Sequence, residues 1–300
     1  MIRCILLFEI LIFSTNTING QVISISDCKK QSPFLSVNNL DVSKGAFSTS
    51  ERRLLGLVYL QYDEKQTAIV GYIQHPTWKM AGSLGPIVVD DKGAVWVAPI
   101  PTINVLHNNP QKQNRIYVVD EITGIMSLAA ELPGSALPNE NNPFGVMGLS
   151  YDCENRVLFA SSIRGSSRSE VRGRIFSLEL KDSSLTILDT LSGIDAMGLG
   201  VVKMDGIKRL FYGDARSGNI YSVQVDVQSK FILPARLECS LQNLGLRGDD
   251  IPRKIRFQGP DKMIVHGVEF YFNLIGPQEK QESLYTFKLK ENKWVFDNVN

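Results

Sequence analysis

Four stretches of this chain repeat one another: GPIVVDDKGAVWVA, GLSYDCENRVLFA, GLGVVKMDGIKRLFYG and KIRFQGPDKMIVHG, which close on Ala98, Ala160, Gly213 and Gly267. Each is an apolar strand, a tight polar turn and a second apolar strand ending in a small residue. A second unit alternates with the first, as NRIYVVDEITGIMSLAAEL, GRIFSLELKDSSLTIL, GNIYSVQVDVQSKFIL and ESLYTFKLKENKWVF. It sets an aromatic after a β-branched residue or Leu and runs through another polar turn into a further strand. Repetition at a period of roughly 45 to 65 residues constrains the fold more than any local feature does. Each copy must be one supersecondary unit that buries its faces only by stacking on its neighbours.

The apolar runs are short, rich in Val, Ile, Leu, Phe and Tyr, and bounded by Gly, Asp, Asn and Lys, which is the chemistry of strands and turns. Helical periodicity is missing. Four blades of four strands can be written down from Gly85 to Phe296, and GLVYLQYDEKQTAIVGYI from Gly56 matches the second unit of a fifth. Residues 21–50, a divergent N-terminal segment, are expected to complete that blade and close the ring. The expectation is an all-β chain: a β-propeller of four-stranded blades, occupying residues 21–300 as a single domain. Small residues at Ala98, Ala160, Gly213 and Gly267 fit positions where a neighbouring blade leaves no room for a side chain.

The formal charge of +1 removes the dense basic surface that nucleic-acid binding needs. Residues 1–20 pair one early basic residue with an apolar run from Ile5 to Phe13 and then small and polar residues, the layout of a secretory signal peptide. The run is short for a membrane span and contains Glu9, so cleavage near Gly20 and a secreted or periplasmic, monomeric product are expected. No Asn-x-Ser/Thr sequon is present. Cys4 would leave with the signal. Cys28, Cys153 and Cys239 are too far apart for a paired-cysteine zinc or redox site, and spacing alone does not choose among one disulfide with a free thiol and three reduced cysteines.

The carriers GPIVVDDKGAVWV, RIYVVDEITG, GLSYDCENRVLFAS and DAMGLGVVKMDGIKRLFYGDARSGNIYSV resemble the propeller superfamily of gluconolactonase and senescence-marker proteins, NHL-repeat proteins, strictosidine-synthase-like proteins and the royal-jelly/yellow group. The resemblance implies six blades. It also implies, for the lactonase branch, Ca²⁺ held at the central channel by carboxylates and amides just before the innermost strands. Here Leu84, Met147 and Met197 occupy those slots, and apolar side chains cannot supply oxygen ligands to a hard cation. A hydrolase of this group would have to relocate its Ca²⁺ to Asn142, Asp195, Asp249 and Asp250.

Loop lengths divide the ring into two rims. Turns inside each unit are short, whereas segments between units are long and polar, and antiparallel succession puts all the long ones on one side. Ligand-binding candidates there are Asn104, His107, Arg164, Asp214 and Arg216, with His266 at the end of a nearby strand. Arginines near carboxylates suit an anionic ligand. Alternation puts His266 and Glu269 on opposite strand faces, so they do not form an acid–base pair, and a hydrogen-bonded core histidine is the simpler reading of His266. His75, beside Pro76 and Trp78, reads as a loop-packing residue. There is no GxSxG elbow, HExxH, P-loop or EF-hand. Three functions stay open: a propeller binding a small molecule, carbohydrate or protein on its elaborated rim; a lactone or ester hydrolase with a relocated metal; and a protein-interaction scaffold.

Overall fold

The computed structural model describes residues 23–24, 30–37, 42–51, 53–102, 110–134, 141–181, 184–259, 261–273 and 282–300. The first strand among the described residues is the two-residue β1 (Ile23–Ser24). The first blade holds β2 (Gly45–Ser48), β3 (Val58–Tyr62) and β4 (Ile69–Ile73). The second holds β5 (Leu84–Val89), β6 (Val95–Pro99), β7 (Arg115–Val119) and β8 (Met126–Glu131). The third follows as β9 (Val146–Asp152), β10 (Val157–Ser162), β11 (Arg174–Lys181) and β12 (Ser184–Ser192). The fourth is β13 (Ala196–Met204), β14 (Ile207–Asp214), β15 (Asn219–Val225) and β16 (Phe231–Ser240). The fifth is β17 (Ile251–Phe257), β18 (Lys262–Val268), β19 (Ser283–Lys290) and β20 (Lys293–Val299). All pairings are antiparallel, and the described residues form five blades, not six.

Acidic turn residues fold the short hairpins. Asp90 Oδ1 accepts the backbone N–H groups of Lys92, Gly93 and Ala94, each at 2.9 Å, while Oδ2 takes the Trp96 indole N–H at 2.9 Å. Asp120 does the same for Ile122 and Thr123, and Asp226 for Gln228 and Lys230. A short carboxylate that satisfies the turn's own amides makes a tight reversal favourable, which keeps this rim low.

Blades pack face to face through four apolar cores. Phe47, Tyr59, Trp78 and Val97 join the first two blades, and Trp96, Ile116, Leu158 and Phe176 the second and third. Phe159, Ile175, Leu210 and Val223 join the third and fourth, and Phe211, Val265, Tyr285 and Trp294 the last two. Ala98 and Ala160 are fully buried, and a Cβ on Gly213 would fall 2.4 Å from the Pro252 carbonyl oxygen of the next blade. Gly267 is crowded instead by its own blade, through Tyr285 and Asp250. His75 caps the 3-10 turn Pro76–Lys79, accepting the Thr77 N–H, and Cys153 is disulfide-bonded while Cys239 is a free thiol.

The first blade departs from the expected four strands. Strands β5, β9, β13 and β17 line the channel and run from the elaborated rim to the tight-turn rim. β2 runs the other way: Gln31 Nε2 donates to Val42 O near its start, beside Ser32, whose hydroxyl donates to Gly93 O in the β5–β6 turn. At the far end Thr49 Oγ1 donates to Gly85 O at the start of β5. By direction, β2, β3 and β4 correspond to the second, third and fourth strands of the other blades. Among the described residues β2 pairs only with β3, so its other edge faces the channel.

Candidate functional site

The long loops do gather on one rim, where most of the polar residues singled out from the sequence hold the loops in place. Asp195, buried just before β13, accepts from Ser166 Oγ, from the Gly173 N–H at 3.0 Å and from Arg216 Nε at 2.5 Å. The remaining guanidinium nitrogens of Arg216 donate to the carbonyls of Arg168 at 3.0 Å, Ser167 at 2.6 Å and Glu170 at 2.7 Å, and its face covers the Phe272 ring. Asn142 donates to Ile163 O and Ser166 O and accepts from Phe144 N–H. Ser166 thus brings Asn142 and Asp195 to one loop.

Asp214 takes the Arg216 N–H and the Ser217 hydroxyl, closing its own turn. Asp250 receives Arg247 through Nε at 2.5 Å and Nη2 at 3.0 Å, and the Tyr285 hydroxyl at 2.7 Å, while Asp249 beside it is exposed. Burial pushes the Asp250 carboxyl upward, but the hydrogen bonds from Arg247 and Tyr285 outweigh it and leave the group below its ordinary value. Burial, helped by Asp250, pushes the Tyr285 phenol up to about 12, which keeps it a donor. Arg164 is buried, with its stem against Gly134. Asn104 and His107 lie outside the described residues. Apolar side chains fill the space between these loops: Phe144, Met147, Ile163, Met197 and Ile251 form one cluster with Phe270 and Phe272.

The concave surface lies in the channel. A cavity of about 820 Å³ is bounded by β2 from Gly45 to Phe47, by Ile87–Val89, Leu149–Tyr151 and Leu199–Val201, and by Lys254–Gly259. A smaller one of about 200 Å³ continues it toward the elaborated rim, between Thr49, Ser50, Gly85, Pro86, Arg253, Lys254 and Glu282. The larger cavity carries Lys30, Lys254 and Arg256 and no carboxylate among its lining residues. Ile255 and Phe257 point into the core shared with the fourth blade, so alternation turns Lys254 and Arg256 the other way. At the mouth, Glu282 accepts from Arg253 at 2.8 Å and contacts His266 Nδ1 at 2.8 Å, and the His266 contact holds its carboxyl below the ordinary value. His266 is therefore partnered by Glu282 and not by Glu269, which accepts from Tyr271.

Lys30, Lys254 and Arg256 were not among the residues picked from sequence. The signal was present in IPRKIRF, where two cations alternate on an innermost strand while the matching strands read PIVVD, GLSYD and GLGVV. Among the described residues no three His, Cys, Asp or Glu side chains converge as a metal site. The oxygens of Asn142, Asp195 and Asp250 are instead taken by N–H and O–H donors.

No family model matches the chain, and no curated protein matches it. Solved structures do. A protein from Lactobacillus plantarum superposes with a TM-score of 0.51 at 13% identity, covering 87% of this chain and 69% of its own. A Bacteroides fragilis protein assigned as a 6-phosphogluconolactonase gives 0.50 at 12% identity, over 86% and 68%. At such identities the likeness is one of fold, and it identifies this chain as a β-propeller.

Proposed function

We propose that this chain is an exported, monomeric β-propeller that binds an anionic ligand in its central channel and carries out no chemistry on it. One observation carries the reading: a cavity of about 820 Å³ whose charged lining residues, Lys30, Lys254 and Arg256, are all cationic. Low-dielectric walls strengthen the attraction between such cations and a carboxylate or phosphate. The N-terminal apolar run supports export. The blade motifs agree with the gluconolactonase-related superfamily, but binding in the channel does not depend on that membership.

The test is a thermal-shift panel of sugar phosphates, aldonates and di- and tricarboxylates on the mature chain. A ligand at a hundred times its dissociation constant adds about 2.7 kcal/mol to stability, a shift of several degrees. Arg256→Ala and Lys254→Ala should each weaken that response. A panel with no shift, or shifts that survive both substitutions, would remove the channel as the site.

A further inference from the structure

The channel's charge and its apolar surface lie at different heights. Lys30 belongs to the tight-turn end, where its backbone N–H donates to Asp90 O in the β5–β6 turn at 3.2 Å. Arg256 is the penultimate residue of β17, which ends at that same rim, and Gln258 follows the strand. All three line the cavity of about 820 Å³ and are exposed. The side chains of Lys30 and Arg256 have no hydrogen-bond or ion-pair partner among the described residues. Midway along the channel the lining becomes apolar, with Phe47, Ile87, Leu149 and Leu199. Ile87, Leu149 and Leu199 each hold the fourth place in an innermost strand, and all three line the smaller cavity as well, where Ile100 and Met147 carry the apolar surface on. Lys254 also lines both cavities, within electrostatic reach of Glu282, and so belongs to the other end.

We infer that the channel's ligand is an amphipathic anion, with a carboxylate or phosphate head held by Lys30 and Arg256 and an aliphatic tail lying along Phe47, Ile87, Leu149 and Leu199 toward the elaborated rim. The inference rests on the channel reading above and narrows its ligand. A polyhydroxylated anion would press hydroxyls against aliphatic walls that give them no partner, and a neutral hydrocarbon would leave both cations unpaired. A tail with one charged end meets both surfaces. A cavity of this size takes a molecule of that kind.

Isothermal titration calorimetry with straight-chain carboxylates from butanoate to decanoate, kept below micelle-forming concentrations, tests this. Each added methylene should tighten binding about threefold to fourfold, at one ligand per chain, until the tail fills the channel. Tight binding of octanoate or of octyl phosphate supports the inference and names the head group. Octanol and octyltrimethylammonium should bind about tenfold or more weakly than the better of the two. Arg256→Gln and Lys30→Gln, with circular dichroism confirming the fold, should each cut the affinity for that anion about tenfold and leave octanol unchanged. Affinity that does not rise with tail length, or octanol that binds as well as octanoate, would overturn the amphipathic ligand. So would uptake of several ligands per chain. Binding of citrate or a sugar phosphate with no response to octanoate or octyl phosphate would overturn the tail while leaving an anion-binding channel. If no anion of either kind binds, both the inference and the channel reading fall.

Discussion

Arg216 Nε donates to Asp195 Oδ2 at 2.5 Å, and the same guanidinium holds three carbonyls of the loop after β10. The pair joins two blades: Asp195 precedes the fourth blade's first strand, Arg216 follows its second, and the loop they hold belongs to the third. A carboxylate with a fully buried side chain is costly unless its lone pairs are met, and here three donors, Ser166 Oγ, Gly173 N–H and Arg216 Nε, meet them.

Arg216→Ala leaves Asp195 buried beside only Ser166 and Gly173. The loss should be about 3 kcal/mol, the low end for breaking such a pair, because the arginine side chain keeps 24% exposure. That corresponds to a melting temperature lower by roughly 5–10 °C. Arg216→Lys, which cannot reach three carbonyls at once, should recover little of it. An unchanged melting temperature in Arg216→Ala would return Arg216 to the pool of ligand-binding candidates.

Calcium chloride and EDTA should leave the melting curve unmoved. The oxygens of Asn142, Asp195 and Asp250, which a relocated metal would need, already accept from N–H and O–H groups, and a cation would have to break those bonds first. A calcium-dependent rise of several degrees that Asp195→Asn removes would revive the metal-hydrolase reading.

Asp250 sets an acid limit on the fifth blade. Its folded-state value lies below the ordinary one, so the folded protein binds fewer protons here than the unfolded chain. The stabilisation is complete above about pH 5 and is lost as pH falls through the folded value, below about pH 4. Glu282, lowered by His266, adds to the same limb. Urea midpoints between pH 7 and pH 2.5 should therefore fall more steeply in the wild type than in Asp250→Asn, which should also be the less stable protein at pH 7. Parallel curves would contradict the assignment.

Gly213→Ala should destabilise by about 2–3 kcal/mol, since the new methyl would lie 2.4 Å from a carbonyl oxygen that the next blade cannot easily move. Gly71→Ala is the control, because nothing lies within 4 Å of its added Cβ. It should be neutral or gain up to about 1 kcal/mol. Chemical denaturation of the two variants compares them directly. A Gly213→Ala protein as stable as Gly71→Ala would mean that the fourth and fifth blades are not packed this closely.

The hairpins were readable because each carries its own instructions. DDKG after IVV and EITG after YVVD place an acid and a glycine where one turn needs them, and the strands of the last four blades follow. The roles of Asn142, Asp195 and Asp250 were not readable in this way. Their type and their place before an innermost strand are local facts, but the donors Ser166, Arg216 and Tyr285 come from loops and strands that only the tertiary fold brings near, and Arg247 alone is a sequence neighbour of its acid. GAFS at residues 45–48 is short, half-exposed and without alternation, so neither its strand nor its reversed direction could be drawn from its residues. Lys254 and Arg256 were visible as alternating cations, and the ring alone turns that alternation toward the channel.

The pairing of Ile23–Ser24 with Lys203–Met204 spans roughly 180 residues. The earliest described strand is thus an orphan until about 180 further residues have followed it. The middle blades can form hairpin by hairpin from neighbouring sequence, whereas this contact must wait and then close a long loop, the slow class of folding event. Maturation of the propeller therefore has an order: local hairpins first, and later the step that fastens β1 to the fourth blade.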